Sequence, residues 1–174
     1  ELHRYFSNSD LARVEMIVTN NTKAGVIDRF SGKKVTIRTF DPRTESDAVL
    51  QELTQAADMV VLAGYLKMIP ASWTRTFQGR MLNIHPALLP KFGGKGMYGK
   101  HVHQAVSEAG ETETGITIHL VNEHYDEGAI VAKFAVDIAP GEAPFAIEEK
   151  VRQLEMEYYG PTVERWIENL ILSQ

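Results

Sequence analysis

The sequence predicts an α/β protein built on a mostly parallel twisted sheet, with helices on both faces and an antiparallel late strand. Three observations carry this. Apolar stretches of strand and helix period alternate for most of the 174 residues. Met59 to Ala63 (MVVLA) is a continuous apolar run, the pattern of a strand buried on both faces of a parallel sheet. Near the end, two strand-like stretches follow each other across a short acidic loop, as an antiparallel pair would.

Taken in order, Glu1-Leu2-His3-Arg4-Tyr5-Phe6 reads as the end of an amphipathic helix. Arg13 to Thr19 (RVEMIVT) alternates and is rich in β-branched residues, a strand pattern. Lys23 to Phe30 is a short helix and Lys34 to Phe40 (KVTIRTF) a second strand. Glu45 to Ala57 places Val49, Leu50, Leu53 and Ala56 at helical spacing. After the MVVLA strand, Pro70 starts another short helix, since proline is tolerated in a first turn. Met81 to His85 is the next strand. Residues 86–99, punctuated by prolines and glycines, form a loop. Lys100 to Glu108 is a helix, Thr114 to Val121 and Ile130 to Asp137 are strands, and Phe145 to Leu172 is a long helical stretch. A break is expected at Gly160-Pro161, because proline in a helix interior removes a hydrogen bond and clashes with the preceding turn. No repeat, low-complexity tract or linker interrupts the pattern, so one domain over residues 1–174 is expected.

Composition narrows the function. Hydrophobic residues make up 44% and charged residues 24%, an ordinary globular balance. The net charge of -5 argues against a nucleic-acid partner, because a phosphate backbone selects for clustered Lys and Arg. No run approaches the ~20 apolar residues of a membrane span, so no membrane partner is expected. With no cysteine, disulfides and thiolate metal sites are excluded. The expected location is the cytoplasm, and the expected assembly a monomer or weak homodimer.

Ligands of open parallel sheets bind beyond the carboxyl ends of strands. Three expected strand ends present polar groups there: Gly64 to Ile69, Asn83 to Pro90, and Asn122 to Gly128. Asn83 and His85, two apart on a strand, point to one face. An amide donor can stabilise an oxyanion, an imidazole can move a proton near neutral pH, and Asp126 can orient that imidazole. By spacing alone, the pair is also compatible with polar residues that merely close a strand. Gly94 to Lys100 (GKGMYGK) follows phosphate-loop spacing up to its lysine, but His101 stands where Ser or Thr is required, and a flexible surface loop is the better reading. His101 and His103, with His85, His119 and His124, lack a zinc-site spacing or an acidic ligand in register, so no metal is expected.

NIHPALLPKF (Asn83 to Phe92), with VVLAGYLKMIP (Val60 to Pro70) and GITIHLVNEHYDEGAIV (Gly115 to Val131), resembles the folate-dependent formyltransferase family. The likeness extends from the first residues to about Trp166, and it is nearest the branch that formylates glycinamide ribonucleotide. It implies a Rossmann-like formyltransferase fold. It also implies transfer of a formyl group from 10-formyltetrahydrofolate, a donor substrate rather than a tightly bound cofactor, to the amine of glycinamide ribonucleotide in purine biosynthesis. The family's catalytic Asn, His and Asp fall on Asn83, His85 and Asp126, and a second histidine near the site falls on His119. The folate head group would lie on Leu66, Lys67, Met68 and Ile69 and on the loop from Val121 through Asn122 to Asp126. Lys67 stands where better-known members have Arg, keeping the charge without the planar fork. Glu155 matches the family's ribose-binding Glu, and Arg152 stands at a second substrate-contacting position.

The resemblance departs at two places. The family opens with a strand and a Gly-Ser-Gly loop that grips the substrate phosphate. This predicts roughly 10–15 further residues before Glu1 in the native protein. The loop Gly93 to Lys100 is longer than in familiar members and resembles a bacterial variant; its glycines and its position at the expected cleft make it a candidate lid.

Overall fold

The computed structural model describes residues 1–172. The chain divides into two compact units, Leu2–Met59 and a second that begins at Val60.

In the first unit, helix α1 (Leu2–Tyr5) and a 3-10 turn (Phe6–Asn8) precede strand β1 (Met16–Thr19), helix α2 (Gly25–Phe30), strand β2 (Thr36–Thr39) and helix α3 (Ser46–Ala56). β1 and β2 pair in parallel, Met16 opposite Thr36 and Thr19 opposite Thr39. β1 starts later than the alternation from Arg13 implies. The parallel register would place residues 13–14 opposite residues 33–34, where the chain is still leaving the Ser31–Lys33 turn. Val49 and Leu53 are buried, as the helical spacing of α3 predicts. Arg38 of β2 reaches Glu45 and Glu52 at 3.0 and 3.1 Å, tying the strand to the helix that follows it.

The second unit holds a four-stranded sheet in the order β3 (Val60–Leu62), β4 (Met81–His85), β5 (Glu113–Leu120), β6 (Ile130–Asp137). β3 and β4 are parallel, with Leu62 opposite Asn83. β5 runs antiparallel to β4, with Asn83 opposite His119 and His85 opposite Thr117. β6 runs antiparallel to β5. The α/β class, the early parallel pairing and the late antiparallel pairing all follow the sequence pattern. β5 lies between two strands and is buried along most of its length, whereas β6, at the edge, alternates in exposure.

Helix α4 (Ala71–Thr76) starts after Pro70, which caps it in an extended conformation. Helices α5 (Lys100–Glu108) and α6 (Pro144–Leu172) supply Val102, Val106, Ile147 and Val151 to a core cluster with Ala87, Ile116 and Ile138. Ile84, Phe92 and Met97 pack against the same cluster, so the apolar floor of the sheet extends beneath the carboxyl end of β4.

The expected break at Gly160-Pro161 does not occur: α6 runs unbroken through Pro161. Proline costs a helix the hydrogen bond to the carbonyl four residues earlier. Here both Pro161 and Glu157 are exposed, so water can satisfy that carbonyl. Tyr159, Gly160 and Val163 meanwhile bury the opposite face and hold the helix in line.

Candidate active site

β4 places Asn83 and His85 at the carboxyl end of the second unit's sheet. The antiparallel register sets His119 of β5 directly beside Asn83. The His119 ring nitrogen Nδ1 is 2.9 Å from the Leu120 carbonyl, which can only accept, so Nδ1 carries the hydrogen. In the neutral ring Nε2 is then an acceptor, and the Asn83 amide Nδ2–H donates to it at 3.2 Å. One amide hydrogen of Asn83 is thereby used for orientation, and the second is left for another acceptor.

His85 is fixed by the same logic. Its Nε2–H donates to the Phe92 carbonyl at 2.8 Å. Its Nδ1 faces Asp126 Oδ2 at 3.6 Å, and Asp126 Oδ1 lies 3.6 Å from His119 Nε2. One carboxylate thus sits between two imidazoles, both nearly fully buried at 3% and 2% exposure.

Asp126 reaches this place from the loop after β5. It adopts a left-handed backbone, φ 57°, which Asp tolerates better than most residues. The loop closes at Gly128, where a Cβ would stand 1.7 Å from the Leu120 carbonyl oxygen. No other residue fits there without moving the strand end. Thr117 secures the turn after His85: its hydroxyl donates to the Ala87 carbonyl at 2.7 Å and accepts from the Leu89 N–H at 3.0 Å.

Burial pushes the His85 pKa below its ordinary value, and His119 adds to this, against the opposing pull of the Asp126 charge and the Phe92 carbonyl. For Asp126, burial alone would raise the pKa. The nearby His119 ring, the Gly94 N–H that donates to its Oδ2 and the nearby His85 ring more than offset it and hold the carboxyl below the usual range. At neutral pH the resting pair is therefore a neutral imidazole beside an ionised carboxylate. An oxyanion forming between Asn83 and His85 would find an amide N–H and, once the ring takes up a proton, an imidazolium N–H.

The structure brings Asn83, His85, His119 and Asp126 into one cluster. The other expected site residues lie on the segment after β3, on the loop after β5 and on α6. Leu66, Lys67 and Met68 are exposed on the segment after β3, while Ile69 is buried. Val121 N–H is spent on the Met81 carbonyl at 2.9 Å, and Asn122 Oδ1 accepts from the His124 N–H at 2.9 Å, closing a small turn. Arg152, exposed on α6, pairs with Glu149 at 2.7 Å. Glu155, half-buried on α6, has its pKa raised by burial, with Arg152 opposing and Glu148 adding. α6 is tied to the carboxyl end of β3 by Tyr159, whose hydroxyl donates to the Leu62 carbonyl at 2.6 Å. Leu62 is the residue paired with Asn83, so one helical turn separates Glu155 from this anchor. Among the described residues, no cluster of three or more His, Cys, Asp or Glu side chains could hold a metal ion.

Three contributors escaped the sequence reading: the Phe92 carbonyl, the Gly94 N–H, which donates to Asp126 Oδ2 at 2.9 Å, and Tyr159. The adjacent glycines 93 and 94 were the signal for the first two, being the place where a backbone can approach closely. Tyr159 offered none, since an aromatic residue on a long helix reads as core.

A buried Asn-His-Asp cluster at the carboxyl end of an α/β sheet is the site expected of a formyl-transferring enzyme, and the chain belongs to the formyl transferase family, whose model matches residues 3–163. Among named relatives, it is 42% identical over 158 residues to the chloroplastic phosphoribosylglycinamide formyltransferase of Arabidopsis thaliana, covering 86% of this chain and 54% of that protein. It is 40% identical over 131 residues to the phosphoribosylglycinamide formyltransferase of Haemophilus influenzae, covering 74% and 59%. The chain spans little more than half the length of these curated relatives. Among solved structures, glycinamide ribonucleotide transformylase 1 from Geobacillus kaustophilus superposes with a TM-score of 0.84 at 33% identity, over 95% of this chain and 90% of that one.

Proposed function

We propose that this protein transfers a formyl group from 10-formyltetrahydrofolate to the amine of glycinamide ribonucleotide, a step of purine biosynthesis. The observation that carries the reading is the convergence of Asn83, His85 and Asp126 in a chain whose named relatives are phosphoribosylglycinamide formyltransferases.

The chemistry divides among the three residues. The amine attacks the formyl carbon and the carbonyl oxygen becomes an oxyanion. Asn83, held by His119, donates its remaining amide N–H to that oxygen. His85 is locked with Nε2 on the Phe92 carbonyl, so Nδ1 is the nitrogen that takes up a proton and donates to the oxyanion. The neighbouring Asp126 charge stabilises the imidazolium as it forms. Asp126, ionised at rest, accepts the amine proton directly or through water, and the proton is returned to the departing folate nitrogen. Holding both substrates on one sheet edge supplies proximity. The folate is a carried-group substrate, placed against Leu66 to Ile69 and the loop from Val121 to Asp126. Glu155, with Arg152 beside it, binds the ribose side of the acceptor; its elevated pKa suits a carboxyl that shares a hydrogen with a hydroxyl.

The test uses the protein with a 10-formylfolate donor, following folate release with and without glycinamide ribonucleotide. Release that depends on the amine supports the transferase. Release without it identifies a hydrolase, and no release in either case removes the reading.

A further inference from the structure

Two groups of the catalytic cluster are held by the backbone of one tripeptide. Phe92 offers its carbonyl to His85 Nε2 at 2.8 Å, and Gly94 offers its N–H to Asp126 Oδ2 at 2.9 Å. Phe92 has a left-handed φ of 55°, and its side chain packs on the core cluster of α5, α6 and β5. The residue between them threads a narrow gap. A Cβ on Gly93 would stand 2.5 Å from Leu89 Cδ2 and 3.4 Å from Asp126 Cβ. Gly94 has φ 93°, where a side chain is strained.

We propose that Gly93 and Gly94 are positioning residues. Their lack of side chains lets a single peptide segment reach both catalytic groups, setting which nitrogen of His85 faces Asp126 and fixing the Asp126 carboxylate against it. The clamp holds the pair from opposite directions: a carbonyl can only accept, so it selects the Nε2–H form of His85, and an N–H can only donate, so it selects the charged form of Asp126. The segment is part of the loop that carries the glycines, so a movement of that loop changes the orientation of the imidazole and the proton affinity of the carboxylate together. This inference deepens the proposed transferase reading and takes its relevance to turnover from it.

The groups that face Asp126 are His85 from β4, His119 from β5 and the Gly94 N–H. The experiment follows the Asp126 carboxyl by carbon NMR and the His85 ring by nitrogen NMR, in wild type, Gly93→Ala and Gly93→Ala/Leu89→Val. The valine removes the Cδ atoms that the methyl group introduced by Gly93→Ala would strike. A fourth protein carries an ester in place of the Gly93–Gly94 peptide, deleting that one N–H with little change of shape.

Loss of a donor weakens the hold on the charged carboxylate, so its titration midpoint rises. A rise of about one pH unit is expected in Gly93→Ala and in the ester protein, with a return toward wild type in the double variant. Transfer should lose its acid-side activity at correspondingly higher pH, with little change in KM. An Asp126 midpoint unmoved by the ester overturns the clamp, as does failure of Leu89→Val to bring back the midpoint. If Gly93→Ala does not fold, the ester protein decides alone. The NMR titration needs no turnover, so absence of formyl transfer counts against the functional reading and leaves the clamp to be judged by its own measurement.

Discussion

The end of β4 and the segment Phe92–Gly94 contribute to the same cluster by opposite means. β4 supplies side chains, Asn83 and His85, aimed by strand period and fixed by register with β5. The later segment supplies only a carbonyl and an N–H, aimed by backbone conformations that depend on glycine. Under the proposed function, the first kind of contribution is chemical and irreplaceable. The second is geometric, and its loss should weaken the site rather than abolish it. Positioning is therefore spread over more of the chain than the chemistry is.

The comparison breaks most readily at the side chains. Asp126→Asn and His85→Ala should each lower kcat by about 100-fold or more, the range for acid–base and oxyanion groups. Single-turnover kinetics at saturating donor would check this, and near-normal turnover would place the chemistry elsewhere. Asn83→Ala should cost a similar factor, since removing one oxyanion donor costs about 10²-fold or more. His119→Gln, which disturbs the orientation of Asn83 and the contact with Asp126 but removes neither group, should cost less than Asn83→Ala. Equal losses would mean that His119 touches the reacting atoms itself.

The acceptor side should respond differently. Glu155→Gln should raise KM for glycinamide ribonucleotide about tenfold with kcat little changed, the signature of binding lost equally in ground and transition states. A fall in kcat with unchanged KM would move Glu155 from binding to chemistry.

The smallest effect concerns stability and pH. Because the folded His85 resists protonation, its unfolded form takes up protons first, near a pKa of about 6.5. Stability is therefore full above that pH and declines as pH falls through it. Denaturant unfolding at pH 7 and pH 5 should show a smaller decline in His85→Gln than in wild type. His103, lowered mainly by burial and only in its smallest part by His85, adds to the decline in both proteins, so the difference between them reads chiefly His85. An equal decline would mean that burial of His85 does not govern its protonation.

Much of this was legible in the sequence where side-chain identity and period carry the information. The strand at Met81–His85 and the helix at Lys100–Glu108 appear with the expected bounds. The carboxylate was readable because Asp126 lies in a polar loop between two strand patterns. The rest depended on properties that residue type does not encode. Pro161 reads as a break until its solvent-facing position is known. Ile69 and Leu66 look alike in the sequence, yet the fold buries the first and exposes the second. The Phe92 carbonyl and Gly94 N–H carry no residue signature at all, only the adjacent glycines that permit them. Tyr159 is a helix aromatic until its hydroxyl is found on the Leu62 carbonyl.

The central claim is that His85 and Asp126 work as one unit. A double-mutant cycle in kcat tests it most directly, comparing His85→Ala, Asp126→Asn and the double variant in the formyl-transfer assay. Groups that act together are strongly non-additive, so the double variant should be little slower than the slower single variant. A double variant whose loss equals the product of the two single losses would show the imidazole and the carboxylate acting independently, and would contradict the account.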